Sequence, residues 1–535
     1  MRGIGWILAA PDGGEGMKRR RRLMLAMAVA VALGATTIPA GAHVARGGDP
    51  PELVVGDGVA GKSSAAQTSA TLGHNDDAHS ANTSLLFNSA TGVVNSDMAY
   101  WGRRGYVGNY SGFQIYDLST PASPTRLVDY ICFGPQNDPI VWKNKLLFLA
   151  VDRTLEGPEC GSEAVADDDP TGWEGVRIFD VSHPRRPRLI KGVYTDCGAH
   201  TITMYPKSQD ELLLYVSSYP LRPGPTCGPD TGPPAGNHPL HRKISVISVP
   251  VDAPQRARVI AQPRIRYPGD PDNKFDPAEH GLDPAFGLNP LTACHDISVF
   301  VELKLAAAAC AEQAQLWRIG ANGIPQTRDP VWVFDDSTDT DGPGGGDVAV
   351  DFWHSATFSW DGEVINFIDE SFGSGCPPVT PIGPFDPEAE PNSDTGRMFF
   401  VDTDTGEKLS HFMIPNREPD DPIPYCSAHL GNVVHSRGKD LLVNAWYRGG
   451  VDVIDFTDPT KPKEIAWYDR INGDNWSAYW YEGPSLPGRT LTLYATDGVH
   501  DPTTGAGFEV FRVRRDVDEV PLRHLNPQTQ EHLLE

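Results

Sequence analysis

Three segments of this chain repeat one pattern, and that pattern constrains the fold more than any other feature. "GFQIYDLSTPASP" begins at Gly112, "GVRIFDVSHPRRP" at Gly175 and "GVDVIDFTDPTKP" at Gly450. Each reads Gly, apolar, any, apolar, any, Asp, apolar, Ser or Thr, any, Pro, any, any, Pro. The alternation predicts a half-buried strand. The aspartate (Asp117, Asp180 or Asp455) can cap the turn that follows. The first proline ends pairing, and the second stands where a new edge strand begins. Such units bury their apolar faces only by stacking on neighbours. Helical periodicity is almost absent, and 54 glycines and 48 prolines punctuate short apolar runs along 535 residues. The expected class is all-β.

The repeat resembles the LVIVD-repeat family of secreted β-propeller proteins, and "GVDVIDFTDPTKP" is the copy that matches it best. The resemblance spans about residues 82–513; it implies a propeller and says little about chemistry. Reading outward from the copies gives seven units of about four strands. Their inner strands open near Asp97, Asp138, His200, His295, His354, His429 and Trp476. The last unit ("SAYWYEG", "TLTLYATDG", "FEVFRVR") holds only three strands. "TSLLFN", with residues 84–88 at its core, is expected to supply the fourth. The expectation is a seven-bladed β-propeller closed by an N-terminal strand over residues 82–515, which leaves no exposed sheet edge.

The flanking segments read differently. Residues 1–42 have the form of an export signal: a basic stretch from Lys18 to Arg22, an apolar stretch from Leu23 to about Leu33, and the small-residue site Ala40-Gly41-Ala42. Met17 is the expected start. Residues 43–81 read as a flexible linker and 516–535 as a polar tail. Without residues 1–42, which hold six basic and two acidic side chains, 39 basic residues face 68 acidic ones, a net charge of −29. That argues against nucleic acid and anionic membranes as partners. The expected product is a secreted monomer with no stable membrane insertion.

Four segments open a strand-like run with a histidine: His200 in "CGAHTITMYP", His295 in "TACHDISVF", His354 in "FWHSATFSWDG" and His429 in "CSAHLGNVVH". Inner strands of a propeller line its channel, so residues far apart in the chain converge there. Imidazole nitrogen is the commonest ligand of zinc, copper and iron. A tight ring of imidazoles would repel if protonated and would need partners if buried and neutral. A bound iron, copper or zinc ion resolves both. The layout is similar to that of carotenoid-cleaving oxygenases, where four histidines from different blades hold iron. It is also similar to that of the selenium-binding-protein thiol oxidases. Asp97 and Asp138 are expected on the same ring. Asp369 and Glu370 are candidates to orient imidazoles or act as general base. If the ligands titrate at the ordinary imidazole value of about 6.5, affinity falls below about pH 6.

Eight cysteines and no CxxC pair favour disulfides over a thiolate metal site. In the blade scheme they pair as Cys132–Cys160, Cys197–Cys227, Cys294–Cys310 and Cys376–Cys426, pinning loops beside the histidines. Other signals are weaker. Asp335 to Asp347 has oxygen ligands that could suit calcium but lacks a closing glutamate. His74 and His79 fall in the linker, and His435 falls in a turn at the other end of its blade. Trp353, Trp446 and Tyr447 read as blade packing. No GxSxG, HExxH or P-loop motif occurs. Two functions remain open: a metal-dependent oxidoreductase acting on a small molecule, and a non-catalytic extracellular propeller that binds a protein or glycan.

Overall fold

The computed structural model describes residues 77–532 apart from 197, 219–223, 228–241, 267–293, 311–312, 335–352, 371–395, 415–426, 471–472, 482–489 and 498–506. The export signal, most of the linker with His74, the acidic loop Asp335 to Asp347, and Cys197, Cys376 and Cys426 therefore lie outside the described residues.

The described chain is all-β, built of consecutive antiparallel meanders. Two strands precede them, β1 (Ala78–His79) and β2 (Thr83–Ala90). The first meander is β3 (Asn95–Trp101), β4 (Arg104–Asn109), β5 (Gly112–Asp117) and β6 (Thr125–Ile131). The next is β7 (Gln136–Trp142), β8 (Leu146–Leu155), β9 (Trp173–Asp180) and β10 (Arg188–Tyr194). Then follow β11 (Thr201–Pro206), β12 (Glu211–Ser217), β13 (Ser245–Pro250) and β14 (Arg258–Ala261). After these come β15 (Asp296–Phe300), β16 (Leu305–Cys310), β17 (Gln313–Arg318) and β18 (Trp332–Phe334). The following meander is β19 (Trp353–Phe358), β20 (Val364–Asp369), β21 (Met398–Asp402) and β22 (Lys408–Phe412). Next come β23 (Ser427–Val433), β24 (Leu441–Tyr447), β25 (Gly450–Asp455) and β26 (Lys463–Asp469). Last are β27 (Asn475–Trp480), β28 (Thr490–Asp497) and β29 (Gly507–Arg514), with two short strands beyond, β30 (His524–Leu525) and β31 (Thr529–Gln530).

The repeat motif supplies third strands, β5, β9 and β25. Its glycine is required by a close approach: a Cβ on Gly112, Gly175 or Gly450 would lie 2.0, 2.1 or 2.2 Å from the carbonyl oxygen of Tyr130, Val193 or Tyr468. Its aspartate caps the turn as expected, since Asp117, Asp180 and Asp455 each accept the N–H two residues on. β2 pairs antiparallel with β29 from Thr83↔Val513 to Ala90↔Gly507, as the sequence reading expected of "TSLLFN".

First strands pack on one another in chain order, β3 on β7, then β11, β15, β19, β23 and β27, and β27 packs on β3. Side chains knit neighbours in step: Thr201 and Thr203 Oγ1 donate to the carbonyls of His295 and Ile297, and Ser355 Oγ to that of His429. Equal offsets mean that the joined strands run parallel, so their beginnings gather at one end of a channel and their ends at the other. Between meanders the faces are apolar, as where Ile140, Phe148, Ile202 and Leu214 bury one another.

Two segments depart from the sequence reading. The linker was expected to run to residue 81, yet β1 pairs with β26, and the His79 ring stacks on Tyr468 at 5.1 Å. Residues 516–535 were read as a polar tail, but their described part is folded: β30 pairs with β3, and β31 pairs with β15. Polar composition misled there because those polar side chains bond to strand backbone rather than to water.

Disulfides join Cys132 to Cys160 and Cys294 to Cys310, as expected. Cys227 is also disulfide-bonded. Among the described residues no helix is long and apolar enough to cross a membrane.

Candidate metal centre

The four histidines stand at the beginnings of β11, β15, β19 and β23, and local backbone explains their aim. The ladder of β19 slips between Trp353 and Ser355, and that of β23 between Ala428 and Gly431, so His354 and His429 occupy bulges. A bulged residue is left out of the ladder and its side chain is re-aimed. His200 and His295 instead extend their strands by one residue, donating their N–H to the carbonyls of Ser217 and Ala309.

All four rings are buried and meet in a row. Centroids are 4.1 Å apart for His200 and His295, 3.8 Å for His295 and His354, and 4.2 Å for His354 and His429. Nε2 of His200 lies 2.5 Å from Nε2 of His295. His200 Nδ1 bonds Asp152 Oδ2 at 2.7 Å, and His429 Nδ1 bonds the Trp476 carbonyl at 2.6 Å. A carboxylate and a carbonyl only accept, so each Nδ1 carries the proton; in a neutral ring that leaves the lone pair on Nε2. Both of those Nε2 atoms face the cluster, where the Tyr447 hydroxyl donates to that of His429 at 2.9 Å.

The two carboxylate candidates separate. Glu370 joins the cluster, with its oxygens 3.6 Å from His354 Nε2 and 3.7 Å from His429 Nε2. Asp369 points elsewhere and accepts the Gly396 N–H at 2.7 Å. Ligand atoms of His295, His354 and Glu370 all lie within 4.8 Å of one another, so this buried trio could hold a metal ion. Two ligands on a tetrahedral ion with bonds near 2.1 Å stand about 3.4 Å apart, close to the Glu370–imidazole spacings.

Burial fixes the charge state. It holds His295 and His354 well below the ordinary imidazole value, and the neighbouring imidazoles add to the effect. Burial brings His429 down to about 3, although its bond to the Trp476 carbonyl opposes the shift. These rings are neutral and ligand-ready at pH 7. Proton competition should therefore begin below the pH 6 read from unperturbed imidazoles.

Asp97 and Asp138 do not share the histidine layer. They group with Asp296 one step along the channel, where Asp138 Oδ2 accepts the Ile202 N–H at 2.8 Å and the Tyr479 hydroxyl donates to Asp97 at 2.5 Å. Burial raises all three, Asp296 to about 7, so this layer favours protonated carboxyls. Trp353 and Trp446 are packing residues, as expected.

Asp152 has no place in the sequence reading, and Tyr447, read there as blade packing, is packed as expected but also turns its hydroxyl to His429. Each stands near the far end of a second strand, β8 or β24, and Glu370 directly follows β20. A signal existed: second-strand exits lie beside first-strand starts, so polar residues there are candidates to serve the histidines.

No family model matches the chain, and no curated protein matches it. Among solved structures it is similar to one titled "Structure of Dos1 propeller", at 9% identity and a TM-score of 0.40, covering 80% of this chain and 81% of that one.

Proposed function

We propose that this chain is an exported seven-bladed propeller of the LVIVD-repeat type, closed by β2, which binds one transition-metal ion through His200, His295, His354 and His429 with Glu370 beside them. One observation carries the metal reading: four buried imidazoles converge, and two have Nδ1 committed to Asp152 and to the Trp476 carbonyl. Carboxylate or carbonyl partners on the outer nitrogen are the usual support of histidine ligands. Three or four imidazoles with one carboxylate suit iron, copper or zinc.

When bound, such an ion would supply Lewis-acid or, for iron or copper, redox chemistry. The chain's own groups hold the imidazoles neutral, keep their lone pairs inward, and place Glu370 where it can accept a proton from a small molecule at the cluster. We therefore favour a metal-dependent oxidoreductase acting on a small molecule, with an external electron acceptor such as dioxygen as co-substrate. The disulfides support an oxidising compartment.

The test is metal analysis of protein purified without chelator, followed by reconstitution with iron, copper and zinc. About one ion per chain supports the centre; below about 0.2 ions per chain, with no uptake, rejects it. X-ray absorption would report nitrogen-rich coordination near 2.0–2.1 Å for zinc.

A further inference from the structure

Residues 518–532 bond in turn to every meander. The Arg437 and Gly102 N–H groups donate to the carbonyls of Asp518 and Arg523, and the Tyr481 hydroxyl also donates to the Arg523 carbonyl. Asn526 brackets β7, accepting the Val141 N–H at 2.7 Å and donating to its carbonyl at 3.0 Å. Gln530 brackets β19 likewise through Phe358, at 2.9 and 2.7 Å. Thr529 Oγ1 donates to the Met204 carbonyl of β11, and the N–H groups of Val299 in β15 and of Val301 just after it donate to the carbonyls of Gln528 and Gln530. Gln528 Nε2 reaches inward to Asp97 and Asp296, at 3.3 and 3.4 Å.

Two features make this a built site. A carboxamide carries the donor and acceptor of a peptide group, and Asn526 and Gln530 use both on one backbone residue each, as a strand would. The contacts on β3, β7, β15 and β19 fall in the last residues of those strands, whereas the histidines stand at the beginnings of β11, β15, β19 and β23. Asn526, Gln528, Thr529 and Gln530 are all buried.

We propose that the channel end opposite the histidines is a binding site for an extended, carboxamide-rich peptide, and that residues 518–532 occupy it in cis as a plug. Small molecules and ions then reach the channel interior only from the histidine end. This inference does not depend on a metal.

A reporter thiol tests it in the full-length chain. Ser298 in β15 is buried and shares its strand face with Asp296, whose carboxylate meets Gln528 Nε2 of the plug. Ser298→Cys should resist a maleimide too bulky to pass between the histidine rings, whose centroids stand 3.8–4.2 Å apart, while the plug is intact. Adding Asn526→Leu and Gln530→Leu should speed its labelling about tenfold or more, together with hydrogen exchange in peptides covering Val141 and Phe358. Unchanged labelling and exchange, or fast labelling with the plug intact, would overturn the proposal. Should the double variant fail to fold, Asn526→Asp alone sets an acceptor against the Val141 carbonyl. Exchange at Val141 must then rise, and a parent-like rate again overturns the plug.

Discussion

The two ends of the channel are framed by the same inner strands, yet they satisfy their polar groups in opposite ways. At the beginnings of β11, β15, β19 and β23 the chain gathers imidazoles whose inner nitrogens face one another. At the strand ends it lays in a segment of its own, and carboxamides bond to backbone. The first arrangement turns ring nitrogens toward one another and toward Glu370, where an ion could bridge them; the second leaves the bracketed backbone groups satisfied. Side chains that converge on one another suit binding, whereas side chains that pair with backbone suit stability.

The largest expected effect breaks one end alone. His295→Ala should take bound metal from about one ion per chain to nearly none, measured by mass spectrometry on folded protein. His435→Ala should leave metal content unchanged, since that ring stacks on Trp360 at 4.2 Å and neighbours His532. Equal metal in the parent and His295→Ala would end the four-histidine reading.

Next is the plugged end. Asn526→Leu with Gln530→Leu leaves backbone groups of Val141 and Phe358 buried without partners, at about 1–3 kcal/mol for each unsatisfied group. With four such groups orphaned, a loss of about 4–12 kcal/mol is the upper bound in denaturant titration, with metal content unaltered. If metal is lost as well, the two ends are not independent.

Asp152→Asn is subtler. It removes the carboxylate that orients His200, and partners of this kind are worth about 10–100-fold in metal affinity. Affinity measured by chelator competition should fall in that range while the fold persists.

The smallest effect separates the ends by pH in metal-free protein. At the histidine end the folded chain holds His429 at about 3 against an ordinary 6.5, so the unfolded chain binds more protons between those values. Stability there is full above about pH 6.5 and falls as pH drops toward 3. His524 within the plug, lowered to about 4 by burial, acts in the same sense. Glu531 acts in the other. Burial, then the Glu302 charge, raises it to about 8, so its contribution is present below about pH 4.5 and is lost as pH rises through 8. Glu531→Gln should flatten the alkaline limb of a stability–pH profile and spare the acid limb. An unchanged alkaline limb would remove Glu531 from this account.

Much of the fold is legible in the sequence. Gly112, Asp117 and the two prolines after it state a strand, a turn and a new edge within one short window, because each acts on its own neighbourhood. The histidines were legible as candidates because they recur in the same phase of successive inner strands. Glu370 and Asp369 were not separable, since adjacent strand residues face opposite ways and their register was unknown. Asp152 and Tyr447 are marked only by their position at second-strand exits, which does not say which histidine each one meets.

The sequence by itself determined the all-β class, the meander unit and the turn chemistry, all consequences of short-range alternation and backbone restriction. Only the tertiary structure decided which side chains meet. His200 finds Asp152 across 48 residues, and Asn526 finds Val141 across 385. Bulges in β19 and β23 turn two histidines inward, and a polar segment becomes buried because strand ends elsewhere in the chain offer it partners. Local pattern cannot encode these outcomes, because each depends on which groups the ring of strands brings within reach.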